Sequence, residues 1–157
     1  MPIALLAGLA GGVAEMIWIA GYCAVTPLQG SEVLRQISLS AGLDFGSGLL
    51  APICGIAIHL GLSVLLGLVF ALSVWRLPVL RSSVVGSLLA SCAVLCVIWA
   101  VNFLVVLPSL NPGFVHLMPY GVGLVSKLLF GVAMGWILYQ GEHQGHRATI
   151  ARAMSVA

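Results

Sequence analysis

The sequence predicts an all-α polytopic membrane protein: a four-transmembrane-helix bundle forming a single membrane domain over residues 1–157. Two observations predict it. Hydrophobic residues make up 61% of the chain and charged ones only 6%, with a mean hydropathy of +1.18; a soluble domain is about 45–50% apolar and about 25% charged. Four stretches, 3–25, 49–75, 84–106 and 120–139, reach the roughly 20 mostly apolar residues that a membrane helix needs. So few charges cannot keep such a surface in water, which excludes a soluble globular domain. Disorder, nucleic-acid binding and a disulfide scaffold are excluded with it, because they need charge, basic patches or dense cysteine. Runs such as 60–72 are apolar on every side and do not alternate, which excludes a β-barrel.

The first span has no basic segment before it and carries Glu15 near its centre, so it reads as a retained helix and not as a cleaved signal. The connection that follows, Thr26–Gly48, is the longest. Within it Ser31 and Glu32 precede Val33, Leu34 and Ile37 on one side, which predicts a short interfacial helix over 31–41. The second and third spans are joined by a turn flanked by Arg76 and Arg81. The segment Leu107–Pro119, before the fourth span, holds Pro108, Asn111–Pro112 and Pro119 and reads as a rigid, turn-rich loop. The tail, 141–157, carries Arg147 and Arg152, with Ile150 and Met154 suited to the inner leaflet. Four arginines therefore fall on one side of the membrane and only Arg35, offset by Glu32 and Asp44, on the other. This places both termini and the tail in the cytoplasm.

Polar residues inside the spans are the candidate functional positions, because a charge at the bilayer centre costs at least about 2.5–3.5 kcal/mol on insertion scales. Small residues every fourth position let helices approach closely. Gly8 and Gly12 form such a seam in the first span, continued by Glu15 and Trp18. Gly55, His59, Ser63 and Gly67 form one in the second, and Gly123, Lys127, Gly131 and Gly135 one in the fourth. Each seam holds one ionisable residue, which turns Glu15, His59 and Lys127 toward the bundle interior. Counted from the outer helix ends at 1.5 Å per residue, Glu15 lies about 16 Å deep, His59 about 15 Å, Lys127 about 10 Å and Asn102 about 8 Å. Side chains lean toward their own N-terminus, so Lys127 leans outward and Glu15 inward. On that reckoning His59 is the expected partner of Glu15, and Lys127 snorkels to the outer interface.

Metal and redox signals are weak. No CxxC motif occurs; Cys92 and Cys96, at i and i+4, read as small buried hydrophobes, and Cys23 and Cys54 lie near outer helix ends where a disulfide is conceivable. His116 and Met118 are the weak candidates for a soft metal such as copper, together with one of those thiols. His59 and His116 differ too much in depth to share a haem, and His143 and His146 read as a solvated polar tail. We predict no cofactor. No nucleophile–base pair, phosphate-binding loop or dinucleotide fingerprint is present, so enzymatic activity is not expected.

Four short helices with a lone membrane glutamate in the first, within Ala14–Glu15, resemble in topology the small multidrug resistance transporters, a family that uses such a glutamate for coupled proton and cation exchange. The long first outer loop and Lys127 depart from that pattern. The segments Ala7–Gly12 with Glu15, Asn111–Val115, Pro119–Tyr120 and Ser126–Gly131 are similar to those of short, uncharacterised proteobacterial four-helix inner-membrane proteins, some labelled sodium:proline symporters. That resemblance implies a multi-pass protein of the bacterial inner membrane and carries no mechanism. The expected function is a small non-catalytic accessory or structural subunit of a larger membrane complex, in contact with the bilayer, with other membrane subunits or with further copies of itself, and with no nucleic acid. The alternative is a small homo-oligomeric proton-coupled transporter or channel using Glu15.

Overall fold

The computed structural model describes residues 2–46, 48–73, 76–78 and 83–156, with side chains through Gln144. Trp75, Arg81 and the side chains of His146, Arg147, Ile150, Arg152 and Met154 lie outside the described residues. Every described element is helical: α1 (Pro2–Ala24), α2 (Gly30–Ser40), α3 (Leu50–Ser73), α4 (Val84–Val101), a π turn (Asn102–Val106), α5 (Leu107–Leu110), α6 (Pro112–Leu117) and α7 (Tyr120–Val156). Four stretches are long and apolar enough to cross a membrane: Pro2–Ala24, Leu50–Ser73, Val84–Leu110 and Tyr120–Gln144. The outward faces of these helices are apolar; Ile17 (69% exposed), Leu89 (66%) and Ile53 (61%) have no use for water and suit hydrocarbon. The chain is a multi-pass integral membrane protein built as an all-α four-helix bundle.

One pair of consecutive spans does not pack closely, and the first and last spans do. α1 packs on both α3 and α7, and α4 packs on α7, whereas α3 and α4 are not a closely packed pair. Their side chains meet through Leu66 and Phe70 on α3 and Val94 and Leu95 on α4, beside a gap of about 50 Å³. The centre of the core is apolar, with Ala7, Leu95, Phe130, Met134 and Leu138 all buried.

A cap closes the end of the bundle where α1 finishes and α7 begins. The helix expected over 31–41 is α2, but it does not lie free at an interface: it folds onto α3, with Ser38 Oγ donating to the Ala51 carbonyl over 2.7 Å. A side chain at Gly55 would run into the Leu34 backbone, so only glycine lets α2 sit this close. The proline-rich segment is two short helices. Asn111 caps the second, its Oδ1 accepting from the Phe114 N–H, with Pro112 in the first turn where a missing N–H costs nothing. The Asn111 amide also donates to the Gln36 carbonyl, Gln36 Oε1 and Ser40 Oγ at 2.9–3.1 Å, which ties α6 to α2. At the opposite end α7 does not stop at Tyr139. Its backbone stays helical to Val156, so the expected tail continues the fourth span without a break.

Candidate functional site

Glu15 is the most buried charged side chain described, 8% exposed, and α1 presents it to α7. Lys127 Nζ lies 2.6 Å from each of its carboxylate oxygens. The Ser126 hydroxyl stands 3.0 Å from Glu15 Oε1 and 2.8 Å from the Gly123 carbonyl, with one proton to offer the two acceptors. Lys127 does not snorkel to an interface: its side chain is 14% exposed and its ammonium stands 5.8 Å from the centre of the Phe130 ring. The expected Glu15–His59 pair gives way to Glu15–Lys127. His59 instead places Nε2 3.2 Å from the Gly12 carbonyl, which requires the tautomer with a proton on that nitrogen.

The reason is an offset between helix ends. Trp18 Nε1 donates to the Val122 carbonyl at 3.1 Å, so Trp18, six residues before the end of α1, lies level with a residue two past the start of α7. The start of α7 is therefore about 6 Å deeper than the end of α1 at 1.5 Å per residue. Depths counted from each helix's own end place Lys127 too shallow by that amount.

The seam of the first span also divides. Gly8 and Gly12 face α3, where an added Cβ would collide with Ser63, and Gly67 meets the α1 backbone at Ala4 and Gly8. Glu15 and Trp18 face α7, accompanied by Gly11, whose missing side chain makes room for the Phe130 ring. On α7, Gly123 accommodates Phe103 and Trp99, Gly131 lies against the Cys92 backbone, and Gly135 lies against Ser87 and Leu88.

Sequence reasoning missed several participants. Ser126 adjoins Lys127, and Ser87 Oγ donates to the Gly135 carbonyl at 2.7 Å, which joins α4 to α7. The buried Ser91 hydroxyl, one turn on, has no partner among the described residues. Ser87 and Ser91 repeat at four residues just as the glycines do, and a search for small residues of either kind finds them.

The remaining candidates do not join the site. Asn102 opens the π turn, half-buried, at the C-terminal end of α4. Met118 is buried in an apolar cluster with Val33, Phe103 and Leu107, whereas His116 is exposed. Cys23, Cys54, Cys92 and Cys96 are free thiols. His143 Nδ1 lies 3.0 Å from the Tyr139 carbonyl. Among the described residues no three His, Cys, Asp or Glu side chains converge as a metal site would require.

Outside the spans, Arg35 makes two hydrogen bonds to Glu32, at 2.8 and 2.7 Å, and Gln36 adds a third at 2.8 Å. These bonds hold the Glu32 carboxyl below its ordinary range and push the Arg35 guanidinium up. No family model matches the chain, and neither a curated protein nor a solved structure is detectably similar to it.

Proposed function

We propose that this protein is a small non-catalytic accessory or structural subunit of a larger assembly in the bacterial inner membrane, with the Glu15–Lys127 pair setting which faces of its first and last spans meet. The observation that carries this reading is the closure of Glu15: both carboxylate oxygens are taken by Lys127, with Ser126 beside them. A carboxylate so engaged has to lose a strong partner before it can carry a proton or a cation. The apolar outward faces of α3 and α4 supply area for partner helices. The choice of membrane rests on the resemblance read from Ala7–Gly12, Glu15 and Ser126–Gly131 to short proteobacterial four-helix proteins.

Purifying the tagged protein from its native membrane in mild detergent tests the proposal. Partners in fixed stoichiometry are expected; recovery of this chain alone counts against it. The alternative, a homo-oligomeric proton-coupled transporter, is favoured by one observation, the presence of Glu15 on α1 with Lys127 and His59 on the two helices that α1 packs against. It requires a proton-linked flux in reconstituted vesicles that Glu15→Gln abolishes. Such a result would replace the subunit reading.

A further inference from the structure

Asn102 carries a side-chain amide that its own fold does not answer. Its backbone is satisfied: the N–H reaches the Ile98 carbonyl, and the carbonyl accepts from the Leu107 N–H. The amide has no hydrogen-bond partner among the described residues, and it is not walled in, for the enclosed polar atoms without a partner there are Ser91 Oγ and Trp99 Nε1. Depth keeps water from it. The span Val84–Leu110 has 27 residues and is about 40 Å long at 1.5 Å per residue. Centred on a hydrocarbon core about 30 Å thick, it projects about 5 Å on each side, which leaves Asn102 about 7 Å inside the hydrocarbon. Acyl chains offer neither donor nor acceptor, so an open amide at that depth is costly.

The surroundings identify what can answer it. Ile98, Val101, Asn102 and Val105 recur at i, i+3, i+4 and i+7, the spacing of one helical face. Val101 is 51% and Val105 62% exposed, and Ile98 lines the gap where α3 and α4 fail to pack closely. Lipid cannot bond the amide, so its partner is a protein surface with a polar group at the same depth. Exposed residues near this level on the other spans, Ile17, Ala57 and Val125, are apolar. A head-to-tail contact between copies would therefore leave the amide unanswered. A two-fold contact answers it. Copies inserted with one topology carry Asn102 at one depth, and a two-fold axis along the membrane normal turns the same face of each toward the other. A carboxamide holds two N–H donors and a carbonyl acceptor, so two of them satisfy each other reciprocally. We infer that two copies of this chain pair through this face, the Asn102 amides donating to each other's carbonyl oxygens across the axis. The inference is independent of the subunit reading, since such a pair is either an assembly in itself or a unit within a larger one.

Disulfide trapping of the purified full-length protein, in vesicles of phosphatidylcholine and phosphatidylglycerol that hold no other protein, tests the pairing. Cys23, Cys54, Cys92 and Cys96 are replaced by Ala, and single cysteines are introduced as Val101→Cys, Val105→Cys or Ile17→Cys, with helicity checked by circular dichroism. On mild oxidation Val101→Cys or Val105→Cys should form a linked dimer several times faster than Ile17→Cys, which is 69% exposed on α1. Adding Asn102→Leu should slow that trapping about threefold or more, whereas Asn102→Gln, which keeps the amide, should retain most of it. Equal trapping at all three positions reports random collision and overturns the inference, as does a rate that Asn102→Leu leaves unchanged. Cysteines on this face that link to a different polypeptide in native membranes, with no dimer formed in the vesicles, also overturn it and assign the amide to another subunit. A dimer in the vesicles with no further chain recovered from native membranes upholds the pairing while counting against the subunit reading.

Discussion

The α1–α7 and α3–α4 contacts are opposites. α1 and α7 stand 112 positions apart at Glu15 and Lys127, yet they share an ion pair, a tryptophan hydrogen bond and the insertion of Phe130 at Gly11. α3 and α4 are consecutive spans, and the described core contact between them is the apolar one of Leu66 and Phe70 with Val94 and Leu95 beside a gap. Lipid tails are as apolar as leucine, so apolar contact alone gives helices little reason to prefer each other over the bilayer. Small residues that admit a backbone, and polar groups that must be satisfied, decide which spans pair. Chain order alone does not: α1 and α3, and α4 and α7, are consecutive spans and pack closely, whereas α3 and α4 are consecutive and do not.

The largest test of this contrast is Lys127→Met, which leaves Glu15 buried without its cation and should destabilise the bundle by about 3–5 kcal/mol, read from unfolding in detergent by denaturant titration. Glu15→Gln combined with Lys127→Met should recover most of that loss, because no charge is then left unpaired. A double variant as unstable as the single one would mean that the pair itself holds the bundle together. Next comes Gly8→Leu, whose side chain would strike the α3 backbone at Ser63 and Val64; the same assay should show a loss of up to about 3 kcal/mol. At the loose contact Val94→Ile adds one carbon facing the gap between α3 and α4, and should shift stability by less than about 0.8 kcal/mol in either direction. A loss as large as that from Gly8→Leu would break the comparison. The smallest effect belongs to Glu32, outside both contacts. Its folded carboxyl titrates below the ordinary value of 4.5, so its contribution is present above that pH and disappears as pH falls through the folded value. Protection factors of the α2 amides, with the intrinsic exchange rate at each pH divided out, should fall modestly over that acid range, less so in 0.5 M salt, while those of amides near Trp18 are unchanged.

The four spans were legible because length and apolarity are one-dimensional properties. The seams at Gly8, Gly67, Gly131 and Gly135 were visible as spacings, but their partners were not. Glu15 and Trp18 share a rough stripe with Gly8 and Gly12, yet a stripe broad enough to touch two neighbours is divided between α3 and α7. Lys127 was misplaced because its depth depends on where α7 starts relative to α1, a quantity set by how α5 and α6 fold into the cap. Asn111 reads locally as a turn residue; its bonds to Gln36 and Ser40 require α2 to be folded onto α3 first.

The π turn at Asn102–Val106 carries a consequence for the rotational phase of α4. Buried positions from Ser87 through Ser91, Leu95, Phe103 and Leu107 are separated by multiples of four. On a straight α-helix each step of four advances about 40° around the axis, so five steps would carry the stripe about 200°, onto the far side. The wider turn, closed by the Leu107 N–H reaching back to the Asn102 carbonyl, contains one more residue than an α turn and rewinds part of that drift. Phe103 and Leu107 thereby stay on the inner side, where Phe103 packs against Gly123. The turn thus absorbs one residue of the span: deleting a single residue from it would leave an ordinary α turn with Leu107 and the start of the cap on the same face, whereas closing all of its residues into α geometry would rotate both away from α7.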